Sequence, residues 1–204
     1  MEIQVNALKD NTLYENSSGS VSNGAGQYIF VGTTNGGSLR RAVIAFDIAD
    51  AIPIGSTITS VRLELHLSKT RSGSQTVQIQ RLLADWGQGK SNASGEEGGG
   101  VSASSNDATW VHRFFDNDTW ETAGGDFSQT VSASTSVAGI SDYSWGSTPQ
   151  MVADVQEWLD EPSKNFGWII RGSEGPKKTT KRFDSMESGN DSNRPVIIVE
   201  YTPG

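Results

Sequence analysis

The chain has 204 residues, 23 of them glycine and none cysteine, with six tryptophans, seven phenylalanines and a formal charge of −8. This excludes disulfide staples, thiol catalysis and cysteine-ligated metals, and the acidic balance argues against nucleic acid as the main partner. The mean hydropathy of −0.43 is low, yet the chain is rich in the aromatic and β-branched residues that disordered chains lack, so it reads as a single folded domain over residues 1–204.

Residues 3–8 form the first, weakly patterned strand candidate, and 27–32 the second. The run Ala42-Val43-Ile44-Ala45-Phe46-Asp47-Ile48 is apolar on both faces, as an interior strand must be, and Ile52-Pro53-Ile54-Gly55-Ser56 after it is turn chemistry. Val61, Leu63, Leu65 and Leu67 then alternate with Arg62, Glu64, His66 and Ser68, which predicts a strand with one buried face. A further strand is expected at 77–83. Residues 86–128 hold no period of either kind. Small polar stretches alternate there with Trp110, Phe114, Phe115 and Trp120, so a long irregular loop region is expected.

A second weak strand candidate covers 129–134. In 149–161 the pattern changes: Met151, Val152, Val155, Trp158 and Leu159 share one helical face, with Ser147 or Thr148 as cap, Pro149 in the first turn and Pro162 as stop. Strands are expected again at 166–171 and 195–202. Short strands separated by Gly, Asn and Ser clusters predict an all-β fold, an antiparallel β-sandwich or jelly roll carrying one short amphipathic helix. No apolar stretch reaches the ~20 residues of a membrane helix, and no basic-then-apolar leader opens the sequence. Membrane insertion is therefore not expected.

Several motifs carry a resemblance that covers most of the chain. They are the 41–47 run, Ile52–Ile58, Asp85-Trp86-Gly87, Asp107-Ala108-Thr109-Trp110, Trp120 with Gly124-Gly125-Asp126-Phe127, the Trp158 helix, Asn165-Phe166-Gly167-Trp168, and Phe183-Asp184-Ser185-Met186-Glu187 before Arg194-Pro195. In order and spacing they resemble the DNRLRE domains of bacterial extracellular proteins, which are similar to family 96 of the carbohydrate-binding modules. The resemblance implies a β-sandwich module attached to a larger parent protein, at the cell surface or outside the cell, with a polysaccharide such as alginate as ligand. Met186 stands where an arginine is common in that family, so any site using that arginine is altered here.

Sugar binding needs flat aromatic faces with polar neighbours. Trp86, Trp110, Trp120 and Trp145 all fall in expected loops, while Trp158 and Trp168 belong with the core. Trp145, close to Tyr143 and outside the shared motifs, is the preferred exposed platform. Lys177, Lys178, Lys181 and Arg182 place four cations within six residues, read as a hairpin tip, and Arg40 and Arg41 form a smaller pair. Such clusters suit the carboxylates of an anionic polysaccharide. For a structural calcium ion the candidate ligands are Asp116, Asp118 and Asp126, although their spacing is not that of an EF-hand.

Enzyme motifs are missing: no G-x-S-x-G, H-E-x-x-H, P-loop or dinucleotide fingerprint occurs, and only His66 and His112 could serve as base. Asp184 and Glu187 are the nearest thing to a carboxylate pair for a small lyase or hydrolase. The expectation is thus a non-catalytic binding module. The alternative is a structural or adhesive surface module that self-associates, in which a terminal strand would offer a free edge to its neighbour. Asn16, Asn92, Asn117 and Asn190 head glycosylation sequons, relevant only in a glycosylating host.

Overall fold

The computed structural model describes residues 1–204 and is mostly β, with two helices. The chain opens with β1 (Glu2–Tyr14), β2 (Val21–Ser22), β3 (Tyr28–Thr33) and β4 (Leu39–Phe46). The interior strand ends at Phe46, sooner than its apolar run implies. Asp47 accepts the amide of Asp50 at 3.1 Å and so caps a single helical turn, α1 (Ile48–Ala51), a second helix that the sequence reading did not foresee. Next come β5 (Thr57–Thr70) and β6 (Gln75–Leu82). The region expected to be irregular contributes only the short pieces β7 (Val101–Ser102), β8 (His112–Phe114) and β9 (Asp118–Thr119) before β10 (Phe127–Val137). The remainder is β11 (Ser141–Gly146), α2 (Pro149–Asp160), β12 (Trp168–Arg171), β13 (Lys181–Asp184) and β14 (Val196–Thr202).

Antiparallel pairing follows the path β11-β5-β14-β1-β4-β12-β6-β10. The β10–β11 turn then brings the two ends of this path together into a closed, barrel-like arrangement, and the Thr135 hydroxyl donates to the Ser144 carbonyl at 2.6 Å across the seam. β1 serves both halves: its first residues pair with β14, and a bulge between Ala7 and Lys9 turns the rest onto β4. β13 and β3 make a second bridge from β5 to β4. β14 is therefore paired on two sides, by β1 and β5, whereas β1 has one partner at a time, β14 along Glu2–Asn6 and β4 from Ala7 on, so the outer side of Glu2–Asn6 is the terminal edge that the self-associating alternative would use.

Period-two alternation explains the core. Ala42, Ile44 and Phe46 of β4 join Val61, Leu63, Leu65 and Leu67 of β5 in the main cluster, while Val43 and Ala45 face the other way into a second one with Leu13, Trp86, Ala108, Trp120 and Ile169. The 86–128 segment is thus a cover laid over the outer face of β4 and β12, which is why that strand is apolar on both faces. Helix α2 sends Met151, Val155, Trp158 and Leu159 into the main cluster, with Trp158 and Trp168 ring centroids 4.6 Å apart. Thr148 is its cap, accepting the Met151 amide at 3.1 Å, and Pro149 opens the first turn.

Candidate functional site

The structure overturns the aromatic platform. Trp145 is fully buried in β11, where its indole donates to the Val77 carbonyl at 2.8 Å and its ring meets Phe183 edge-on. The cause is alternation: Tyr143 and Trp145 point inward while Ser144 and Gly146 point out, so polar neighbours that read as a loop are the wet face of a strand. Tyr143 is half-buried and ties off the β10–β11 turn, accepting from the Ala138 amide and donating to the Gly139 carbonyl. Trp86 and Trp120 are buried too, their indoles donating to Phe166 and Thr109. Trp110 is half-buried, with the Arg41 guanidinium 4.9 Å from its ring. No aromatic side chain of the protein is exposed.

The basic run is divided rather than exposed as a tip. Lys181 and Phe183 occupy the same face of β13, and since Phe183 packs in the main cluster, Lys181 is carried inside with it. Its ammonium donates to Thr70 Oγ1 and to the carbonyls of Ser72, Gly73 and Ala138 at 2.8–3.2 Å, so it is a structural residue and not a ligand-facing one. Burial pushes its pKa below the usual lysine value. Lys177 and Lys178 remain exposed. Arg182, one residue on, faces outward, with its guanidinium 3.7 Å from the Tyr28 ring and Nε donating to Ser68 Oγ.

Arg182 and Lys178 belong to an open groove of about 600 Å³ that sequence reasoning did not assemble. Its floor is a cross-strand row. Lys69 of β5 lies opposite Arg182 of β13, which lies opposite Phe30 of β3. Arg71 in the β5–β6 turn and Lys178 add two further cations, while Asn35, Thr70 and Thr180 supply amide and hydroxyl groups. Two cations in direct register repel one another. Glu96 relieves this, its Oε2 accepting from Lys69 Nζ at 2.6 Å and from Arg182 at 2.8 Å. The Lys69 hydrogen bond, with the charges of Lys69, Arg182 and Arg71, holds the Glu96 carboxyl below the usual range. Arg71 and Lys178 form no ion pair, so the groove carries four cations against one carboxylate.

The loop bearing Glu96 is built from its neighbour. Glu97 is buried at φ +58° and accepts from the Asn23 side chain and the amides of Gln27 and Tyr28. Arg40 stacks on Tyr14 and donates to the Gly98 carbonyl. Gly100 adopts φ +65°, and a Cβ there would fall 2.6 Å from a Val21 methyl. Adjacent glutamates thus divide the work: Glu97 anchors the loop and Glu96 projects over the groove.

Arg41 lies elsewhere, on β4 opposite Arg171 of β12. Both guanidiniums grip Glu174, at 2.7 and 3.0 Å from Arg41 and 3.3 and 2.8 Å from Arg171. Burial opposes ionisation of Glu174, but the bonds from Arg41 and Arg171 outweigh it and hold the carboxyl below its usual range. Arg41 also donates to the Gly124 carbonyl, so its donors are committed to the fold.

The expected calcium ligands do not converge. Both oxygens of Asp126 accept backbone amides, from Glu121 and Thr122 at 2.9 Å each, whereas Asp116 and Asp118 are exposed around a separate hollow with Phe114 and Phe115. No cluster of three or more His, Asp or Glu side chains is gathered anywhere in the chain. Among the residues weighed for catalysis, His66 pairs with Asp142 at 2.6 Å, His112 meets Thr109 and the Gly19 carbonyl, and Asp184 accepts from Asn193.

Glu187 accepts from Gln88 and Ser185, and acts on Asp10 of β1. Burial, then the charge of Glu187, pushes the Asp10 carboxyl well above its usual range against the pull of the Met186 amide. A carboxyl raised by folding contributes stability that is complete below its unfolded pKa and is lost as pH climbs through the folded value. Asp10→Asn is therefore expected to gain stability relative to the wild type as pH rises from 4 to 7. Urea unfolding at the two pH values checks this, and a pH-independent gap would refute it.

No known family profile matches the chain, and a search of the curated proteins finds no match.

Proposed function

We propose that this protein is a non-catalytic carbohydrate-binding module that acts outside the cell or at its surface and holds an attached enzyme or surface protein on an acidic polysaccharide, such as alginate. The observation that carries this reading is the groove: Lys69, Arg71, Lys178 and Arg182 converge around an open cleft in a protein whose net charge is −8. A cationic cleft on an acidic body concentrates the field where a polyanion can enter. Arginine forks match carboxylates in two-point geometry. The one aromatic side chain lining the groove, Phe30, is buried, so contact there is electrostatic and polar and weakens as salt rises. Affinity per site is modest and gains from tethering to the parent chain. The likeness of the motifs to DNRLRE domains points in the same direction, and we read the closed sheet as a β-sandwich of jelly-roll type.

Affinity electrophoresis in gels cast with alginate, and in parallel with neutral dextran, tests the assignment. The wild type is expected to be retarded by alginate alone. Arg71→Ser with Lys178→Ser should weaken retention about tenfold while leaving the melting temperature unchanged, since neither side chain has an ion-pair partner to lose. Equal retention of wild type and double variant would remove the groove from consideration.

A further inference from the structure

Resting on the reading of the groove as a polyanion site, we infer that Glu96 is a built-in stand-in for a ligand carboxylate, occupying the Lys69–Arg182 pair until an incoming anion displaces it.

The same device occurs twice in this fold, and comparing the two copies reveals the difference in purpose. In each, two cations stand opposite one another on adjacent strands and one glutamate from a loop bridges them. At Glu174 the bridge is complete: both oxygens are used, each arginine makes two bonds, and the carboxylate side chain is only 18% exposed. At Glu96 a single oxygen serves both cations and the side chain is 68% exposed. Solvent competes freely for such a pair, which makes it weak.

Arg182 does not depend on Glu96 for its position. Tyr28 stacks beneath it and Ser68 accepts its Nε, so the guanidinium stays aimed at the groove when the carboxylate leaves. Nor does the loop depend on Glu96, since Glu97, Arg40 and the Tyr14 hydroxyl pin it from below. The exchange of one exposed carboxylate for another leaves Coulomb energy nearly unchanged and costs no rearrangement of the floor. Glu96 therefore lowers affinity for weakly charged or isolated anions, whereas a polymer that presents neighbouring carboxylates to Arg71 and Lys178 as well can still displace it. The residue sets a threshold of charge density.

The test is Glu96→Gln, with Glu174→Gln as control, titrated against a polyuronate and a single uronic acid by calorimetry. Removing the stand-in is expected to tighten polyuronate binding about five-fold, to make the salt dependence steeper, and to raise affinity for the single sugar proportionately more. Glu174→Gln should lower the melting temperature without tightening binding. If Glu96→Gln binds equally or more weakly while the wild type binds and Arg71→Ser with Lys178→Ser does not, the stand-in role is overturned and the groove assignment survives. If neither wild type nor Glu96→Gln binds any acidic polymer, both fall together.

Discussion

Lys181→Met is expected to lower the unfolding free energy by about 3 kcal/mol, the range for removing a buried charge that holds several acceptors. Methionine keeps most of the stem's volume, so the loss isolates the ammonium. That group has no carboxylate partner and is fixed by four oxygens, three of them main-chain carbonyls. Ser72 and Gly73 belong to the turn between β5 and β6, and Ala138 to the turn between β10 and β11, so one side chain clasps two turns, each joining strands that do not pair with one another. Urea unfolding should show a lower midpoint at an unchanged slope. Amide exchange should quicken at both turns together. An unaltered midpoint would mean that water satisfies these carbonyls as well as the lysine does. Any loss of glycan binding in a Lys181 variant has to be judged against this destabilisation.

Asp154→Ala is expected to cost a similar amount, about 3 kcal/mol, by leaving donors on three elements unmatched. Asp154 is buried on α2. One oxygen accepts from Ser132 of β10 at 2.5 Å and from the Trp168 indole of β12 at 2.9 Å; the other accepts from Gln150 and lies 3.8 Å from Arg81 Nε. Arg81 is also paired with Glu157 on the same helix. The carboxylate thus fixes the register of the helix on the sheet. Trp168→Phe removes one of these donors, about 1 kcal/mol, and adds the cost of the volume lost from a fully buried indole. Near-ultraviolet circular dichroism offers a second readout, because Trp158 and Trp168 are in contact and a shifted helix alters their coupling. If the alanine variant keeps both the wild-type midpoint and the wild-type spectrum, apolar packing alone seats the helix.

Much of the fold was legible because alternation and helical period are local. The strands around Val61–Leu67 and Val77–Leu82, and the α2 helix with its cap, follow from residues close together in the chain. β1 runs on to Tyr14, past the strand expected at 3–8, through the polar residues Lys9, Asp10, Asn11 and Thr12. They are strand residues whose polar groups are met by a distant cover, as when Asn11 donates to Ser22 and to the Gln88 carbonyl. β11 was hidden for the opposite reason: with only Tyr143 and Trp145 apolar, its alternation passed for a loop.

The groove was legible only at Lys178 and Arg182. Its other members are remote, Lys69 lying 27 positions from Glu96, and Glu96 lying 86 from Arg182. Strand register unites Lys69 with Arg182, and the loop anchored by Glu97 carries Glu96 over them. The charged Lys69-Thr70-Arg71 turn that ends an alternating strand was the available signal. Lys181 shows the converse failure, since a lysine in a basic run looks solvated until the inward Phe183 two residues later is taken into account.

The pairing of β1 with β14 places Glu2 opposite Glu200, and the terminal amine donates to the Tyr201 carbonyl at 2.7 Å. The two ends of the described chain therefore leave the body side by side, like the two cords of a pendant. Spliced into a longer polypeptide, the domain would hang to one side of the thread and add little to its reach. Tension applied through both ends would open the β1–β14 ladder one rung at a time, the least resistant way to load antiparallel strands.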